Sequence, residues 1–446
     1  MYLHGTSRIN QAGHLEIGGV DTVRLAEQFG TPLYIIDENL VRQRCREFVS
    51  AFRETGLSFE VSYASKAYCT KSMCRIIEQE GLALDVVSDG ELYTALQSGF
   101  PAQRIHFHGN NKTPEEIAMA LDANIGCFVV DNFQEIAMLQ HLSLERGRLT
   151  QVLLRVTPGV EAHTHEFITT GQDDSKFGFN LRNGSAMRAV EAILASSQLQ
   201  WLGIHSHIGS QIFETEGFRL AAGRVADFAA EIARAYGIST KVLNLGGGFG
   251  IRYVDGDQPL PVATYVKAIT DAVKERFSAA QLPIPSIWIE PGRSIIGDAG
   301  TTLYKVGSVK EIPGVRKYVA VDGGMTDNPR PALYDAAYEA TVANRANEPV
   351  QEIVSIAGKC CESGDMLIWD ISLPTVDPGD LLAVFCTGAY NYSMASNYNR
   401  LRRPAVVLVQ DGKADLVVQR ETYAGLIAND LIPERLHLHK MTSAQE

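Results

Sequence analysis

The sequence predicts an α/β protein: a closed (β/α)8 barrel, the TIM-barrel architecture, followed by a mostly β domain that the amino-terminal segment completes. Three observations predict it. From Asn39 onward, long amphipathic stretches alternate with short β-branched runs, the pattern of parallel strands joined by helical crossovers. There are eight such units in roughly 250 residues, the size of a closed barrel and a poorer match to an open doubly wound sheet. After Arg293 the pattern changes to short apolar or alternating runs separated by Gly, Pro and Asp turns, which predicts a β domain of about 150 residues.

The strand candidates of the barrel are 58–66, 82–88, 104–109, 125–131, 151–158, 201–210, 242–248 and 286–290. Among the helices between them, 217–236 is the clearest: Phe218, Ala221, Ala222, Val225, Phe228 and Ile232 recur three or four apart and mark one buried face. Asp21, Asn39, Ser88 and Thr113 are expected helix N-caps, Thr113 being followed by Pro114 at the first helical position. In the β domain, strands are expected at 303–312, 317–321, 350–357, 381–385 and 405–409. The segment 4–37 holds two more, placed to complete that sheet. The domains are therefore read as 38–296 for the barrel, and 1–37 with 297–446 for the β domain.

Composition narrows the function. The 446 residues are 45% hydrophobic and 21% charged, the balance of a globular protein. No apolar run reaches the roughly 20 residues of a membrane span, and residues 1–10 lack the basic and apolar regions of a secretion signal. A formal net charge of -12 makes nucleic acid and anionic membranes poor partners. Seven sparse cysteines without a Cys-x-x-Cys pair read as a reduced, cytoplasmic chain with no structural zinc.

In such a barrel the loops at the carboxyl ends of the strands build the site. Lys66 ends the first strand there; an ammonium inside the mouth must pair with an anion, lower its pKa or condense with a carbonyl. The seventh unit ends in Gly246-Gly247-Gly248, where absent side chains let backbone N–H groups face one anion. The eighth ends Glu290-Pro291-Gly292-Arg293, a carboxylate fit for a protonated ring nitrogen beside a guanidinium fit for phosphate or carboxylate. An ordinary strand-end lysine, a tight turn and a local ion pair explain each feature singly; their meeting on one rim is harder to explain so. His106/His108, His163/His165 and His205/His207 have the spacing of metal ligands on a strand. His207 is equally suited to stack on a flat cofactor, with Ser210 on the next turn as a phosphate donor. The β domain adds Arg330 and Tyr334, Cys361 beside Glu362, and Tyr390 on a glycine turn.

Taken in order, Tyr63-Ala64-Ser65-Lys66-Ala67, Asp173-Asp174-Ser175-Lys176-Phe177-Gly178, His205-Ser206-His207-Ile208-Gly209-Ser210, Gly246-Gly247-Gly248, Glu290-Pro291-Gly292-Arg293, Cys361-Glu362-Ser363-Gly364-Asp365 and Gly388-Ala389-Tyr390 resemble the fold-type III pyridoxal 5'-phosphate enzymes, the alanine racemase and ornithine decarboxylase group. Within that group they are similar to the diaminopimelate decarboxylases. The resemblance implies a pyridoxal 5'-phosphate-binding barrel and a homodimer with active sites at the interface. It also implies decarboxylation of meso-diaminopimelate, the small-molecule substrate, to L-lysine, the last step of bacterial-type lysine biosynthesis.

By the same resemblance, Lys66 carries the cofactor, His207 stacks on its ring and Glu290 keeps the ring nitrogen protonated. Gly246, Gly247, Gly248, Ser210, Gly292 and Arg293 surround the phosphate, and Tyr390 touches cofactor and substrate. Arg293, Arg330 and Tyr334 hold the substrate together with Glu362 from the second subunit, whose Cys361 donates the proton. A thiol of ordinary pKa, about 8.5, is a competent acid at neutral pH. Arg330 with Glu362 matches a substrate whose far end carries both a carboxylate and an ammonium. Phe249, where an aliphatic residue is common, departs from the pattern, and the polar loop 254–261 has no clear register. Three alternatives stand beside this reading: a related decarboxylase of another basic or acyl-linked amino acid, a cofactor-binding regulator without turnover, and a metallohydrolase built on the histidine pairs.

Overall fold

Eight parallel strands pair in sequence and the last pairs with the first: Phe59–Ala64, Ala83–Val86, Ile105–Phe107, Cys127–Val130, Thr150–Thr157, Leu199–Ser206, Val242–Asn244 and Ser286–Ile289. The computed structural model describes residues 2–160 and 175–437. His163, His165, Asp173 and Asp174 lie outside the described residues. Each predicted barrel strand is present, but all eight stop short of the expected end. Lys66 sits in the single turn Ser65–Ala67 that follows the first strand. His207, Ser210 and the glycine triplet lie in loops beyond theirs. A two-residue strand that the pattern did not predict, Phe179–Asn180, adds to the edge of Thr150–Thr157.

The helix Glu216–Tyr236 buries Phe218, Ala221, Ala222, Val225, Phe228 and Ile232, the face its spacing predicts. Phe249, the odd aromatic after the glycine triplet, has a packing reason. Its ring stacks on Phe218 at 4.9 Å and meets the edge of Tyr265 at 5.5 Å. Asp21, Ser88 and Thr113 cap their helices, Thr113 in a reciprocal box with Glu116. Asn39 does not: the helix Glu38–Arg53 starts earlier, and Asp37 caps it by accepting from the Leu40 N–H.

The sheet of the β domain runs Met366–Leu373, Glu352–Ala357, Arg316–Val321, Gly300–Ile312, Leu33–Asp37, Ala405–Gln410, Lys413–Val418, with Leu381–Phe385 joined to Gly300–Ile312 from the side and Ala340–Val342 paired to Leu381–Phe385. Leu33–Asp37 lies between strands from the far end of the chain, so the amino-terminal segment does complete this sheet. The other amino-terminal strands, Arg8–Ile9, Leu15–Ile17 and Val20–Asp21, form a small sheet of their own. That sheet still sends Leu15 and Ile17 into the apolar core shared with Leu303, Val319 and Phe385. Burial of this kind stabilises by about 1.5–3 kcal/mol per large apolar side chain.

Inside the barrel the floor is apolar, built by Cys127, Val129, Leu153 and Val242. Above it the inward positions are polar. At the rim, the buried Lys112 ammonium donates to Glu135 at 2.6 Å, to the Val129 carbonyl at 2.8 Å and to the Gly109 carbonyl at 2.9 Å. It thereby ties the loop after the third strand to the fourth. Lys112→Met leaves Glu135 buried without its cation and should cost about 3–5 kcal/mol in urea unfolding. A loss below about 1 kcal/mol would show that this bond does not hold the rim.

Candidate active site

A cavity of about 690 Å³ opens at the carboxyl ends of the strands, between the barrel and the β domain. Lys66, His207, Ser210, Gly248, Glu290, Gly292, Arg293, Arg330, Tyr334 and Tyr390 all line it. The β domain is bolted to the lysine turn: the Tyr390 N–H and the Ser393 hydroxyl both donate to the Ala67 carbonyl, at 2.9 and 3.0 Å. Tyr390 holds a left-handed backbone, φ 62°, which costs a non-glycine residue roughly 1–2 kcal/mol and persists because these bonds fix it. Two residues earlier, a Cβ on Gly388 would collide with the Ile296 carbonyl, so only glycine allows the domains to approach this closely.

The loops after the sixth and seventh strands are zipped together. The Ile212 N–H donates to the Gly248 carbonyl, and the Gln211 amide pairs with the backbone of Ile251. In the glycine triplet, the Gly246 N–H donates to Asn244 and the Gly247 N–H to His207 Nδ1. Two of the three N–H groups are thus engaged within the protein, and Gly248, φ 107°, is the member that reaches the cavity wall. Arg293 donates to Ser210 at 3.0 Å and to the Tyr253 hydroxyl at 2.6 Å, and its guanidinium lies 4.9 Å from the Tyr390 ring centre. Arg330, on the short helix Arg330–Tyr334, donates to the Tyr338 hydroxyl at 2.7 Å and lies 5.0 Å from the Tyr253 ring. Both guanidiniums are buried, and among the described residues their hydrogen-bond partners are hydroxyls, not carboxylates. Buried cations of this kind call for an anionic guest.

Glu290 closes the cavity floor. Asn244 donates to Oε1 at 2.6 Å, and His205 Nε2 lies 3.1 Å from Oε2. His108 Nε2 is 3.3 Å from Oε1. Burial and the neighbouring Asp85 push Glu290 up to about 7, against the pull of His108, Arg155 and Lys66. Burial would raise Asp85 too, but His108 and His106 outweigh it and hold that carboxyl well below its usual range. Burial, with Lys66, keeps His207 neutral, so its Nδ1 is free to accept from Gly247. Burial, reinforced by Arg155, also keeps His205 neutral, and its Nε2 donates to Glu290.

Cys361 and Glu362 are elsewhere. They sit exposed on a turn of the β domain, where the Cys361 N–H donates to Asn399 at 2.7 Å. Buried Asp365 shapes that turn by accepting from the N–H groups of Cys360 and Met325, at 2.7 and 2.6 Å. Asp85, Arg155, Tyr253 and Asp257 line the cavity without having been singled out from the sequence; His108, read there only as half of a metal-ligand pair, and Phe177, quoted only within the resemblance, line it too. For Asp85, His108 and Arg155 the signal was available, because an ionisable side chain inside an otherwise apolar strand needs a partner.

A barrel whose mouth gathers a lysine, a glycine loop, a buried carboxylate and two buried guanidiniums defines a class. The family model described as the pyridoxal binding domain of pyridoxal-dependent decarboxylases matches residues 38–297. Three relatives narrow it. The diaminopimelate decarboxylase of Bacillus subtilis is 63% identical, with 97% of this chain and 98% of that protein covered. The diaminopimelate decarboxylase of Staphylococcus aureus is 50% identical over 95% and 99%. Among solved structures, the M. jannaschii diaminopimelate decarboxylase in complex with L-lysine is 38% identical, covers 97% of this chain and 99% of that one, and superposes with a TM-score of 0.90. The chain belongs to the diaminopimelate decarboxylase family of pyridoxal-dependent enzymes.

A carboxyl raised by burial destabilises the fold as it ionises: its contribution is intact below the usual carboxylate value and is lost as the pH rises to about 7. The cofactor-free Glu290→Gln protein should therefore gain stability over wild type by up to ~3 kcal/mol on going from about pH 5 to about pH 8. Paired thermal melts across that range measure it, and a pH-independent gap would contradict the account.

Proposed function

We propose that this protein removes CO2 from meso-2,6-diaminopimelate to give L-lysine, with pyridoxal 5'-phosphate held at Lys66. The observation that carries the reading is the set of charges facing one cavity: an amine, two guanidiniums free of carboxylate partners among the described residues, and a buried carboxylate. They fit an anionic, nitrogen-bearing ring cofactor and an amino acid with two carboxylates.

In this reading Lys66 holds the cofactor, His207 lies along the ring face and Glu290 faces the ring nitrogen. Arg293, Ser210 and the backbone at Gly248 and Gly292 take the phosphate; Gly246 and Gly247 shape that loop from behind. Pyridoxal 5'-phosphate, when bound, supplies the electron sink for the pair left at the substrate α-carbon. Arg330, with Tyr334 and Tyr390, takes the distal carboxylate. Closing the β domain over the mouth excludes water, which strengthens each of these charge contacts.

A second copy of the chain completes the site. Its Glu362 takes the distal ammonium and its Cys361 Sγ delivers a proton to the α-carbon. The outward placement of both residues supports this, as do the exposed apolar side chains Tyr423, Ile427, Leu431 and Ile432 near the carboxyl end, which a partner would cover. Seven free thiols accord with work in the cytoplasm, and no helix among the described residues is long and apolar enough to cross a membrane.

The direct test follows CO2 release from meso-diaminopimelate beside L-lysine, L-ornithine and L-arginine. Turnover confined to diaminopimelate is expected; preference for a monocarboxylate would reassign the substrate. Lys66→Ala should abolish turnover, and Cys361→Ala should lower kcat by about 10²–10⁴-fold with the cofactor still bound. Mixed dimers of these two variants should recover activity through their one intact site. No recovery in verified mixed dimers would argue against a shared site.

A further inference from the structure

Beneath the cavity floor, the barrel interior holds a file of ionisable groups that no role above requires. His106 Nε2 lies 3.2 Å from Glu60, and its Nδ1 3.5 Å from Asp85. His108 Nε2 lies 3.5 Å from the same Asp85 oxygen and 3.3 Å from Glu290. His108 is thus wedged between two buried carboxylates. Neither contact is aligned as a hydrogen bond, and His108 Nε2 and Asp85 Oδ1 are both buried atoms without a hydrogen-bond partner. Two orphaned atoms this close are reconciled by a proton between them.

The charge balance points the same way. Three buried carboxylates, Asp85, Asp131 and Glu290, and the half-buried Glu60 share this interior. Arg155 opposes them, as does His106, whose charge is disfavoured by burial but held well above its usual range by Cys127, Asp85 and Glu60. A ring-nitrogen proton above Glu290 supplies one more positive charge; burial disfavours a charge on His108 and lowers its pKa, against the pull of Glu290 and Asp85, and the file balances when those two carboxylates prevail and His108 supplies the last.

We propose that His108 is a positioning residue for the cofactor's ring nitrogen: it takes a proton and, as an imidazolium between Asp85 and Glu290, holds both as carboxylates. The inference rests on the cofactor reading above. The proton leaves Glu290 Oε1 as its O–H bond breaks, and the new N–H bond forms at His108 Nε2. The groups facing Glu290 are Lys66 after the first strand, Asp85 on the second, His108 beyond the third, Arg155 on the fifth, His205 on the sixth and Asn244 on the seventh. Of these, only His108 touches both carboxylates and can change its charge near neutral pH.

The test is an infrared titration of the Glu290 carboxyl band, assigned with Glu290→Gln, in the full chain with and without pyridoxal 5'-phosphate. His108→Gln should raise the midpoint by about one pH unit or more, each unit being a tenfold change in the ionised fraction, and should speed cofactor release by a similar factor. His108→Gln with Asp85→Asn should move the midpoint back, because the repelling charge has gone with its counter-ion. Glutamine keeps the volume, so a purely structural role for His108 predicts no midpoint shift and no rescue, and that result overturns the proposal. If neither wild type nor variant binds pyridoxal 5'-phosphate, the cofactor reading fails, while the titration without cofactor still decides the role of His108. Should His108→Gln not fold, the double variant decides: a midpoint far from wild type would overturn the proposal.

Discussion

A carboxylate kept in a dry barrel beside a second carboxylate is the constraint on which this site turns. Glu290 sits where ionisation is costly, with Asp85 close by, and the residues around it are arranged to lessen that cost. Asn244 and His205 donate to its two oxygens from neighbouring strands, and the same Asn244 uses its carbonyl to fix the Gly246 N–H. The carboxylate and the glycine loop are therefore set by one side chain. A cationic ring nitrogen placed above Glu290 would relieve that burial cost.

The upper half of the site depends on how two domains meet. The Ala67 carbonyl, one residue past Lys66, accepts from Tyr390 and Ser393 of the β domain. Arg330 comes from that domain and Arg293 from the short helix after the eighth strand, yet both pack against Tyr253. The aromatic faces and hydroxyls hold the guanidiniums in place without neutralising them. This explains how a protein with a net charge of -12 presents an anion-seeking cavity: the field inside a closed pocket follows its lining and not the surface total.

Much of this was legible in the sequence, for identifiable reasons. Buried parallel strands write themselves as β-branched runs, and the helix Glu216–Tyr236 carries an unbroken apolar stripe, so barrel and helix could be read from period alone. Met366–Leu373 and Lys413–Val418 could not. They lie at the two edges of their sheet and carry charged residues such as Asp370, Lys413 and Asp415, which break the alternation. Ten of the predicted site residues meet at one cavity: seven because the barrel's strand ends converge, and Arg330, Tyr334 and Tyr390 because the β domain packs over that rim. The inner file of Asp85, His106 and His108 was harder to read, since its meaning comes from neighbours on other strands. Cys361 beside Glu362 stood out as a thiol next to a carboxylate, but their roles came only from the resemblance; one chain's geometry leaves them facing outward.

The central claim is that Glu290 stands as a carboxylate holding a proton on the cofactor's ring nitrogen. The most direct measurement is the nitrogen-15 NMR shift of ring-labelled pyridoxal 5'-phosphate bound to the protein at neutral pH. The account predicts a protonated ring nitrogen in wild type and an unprotonated one in Glu290→Gln. An unprotonated nitrogen in wild type, or the same shift in both proteins, would contradict it.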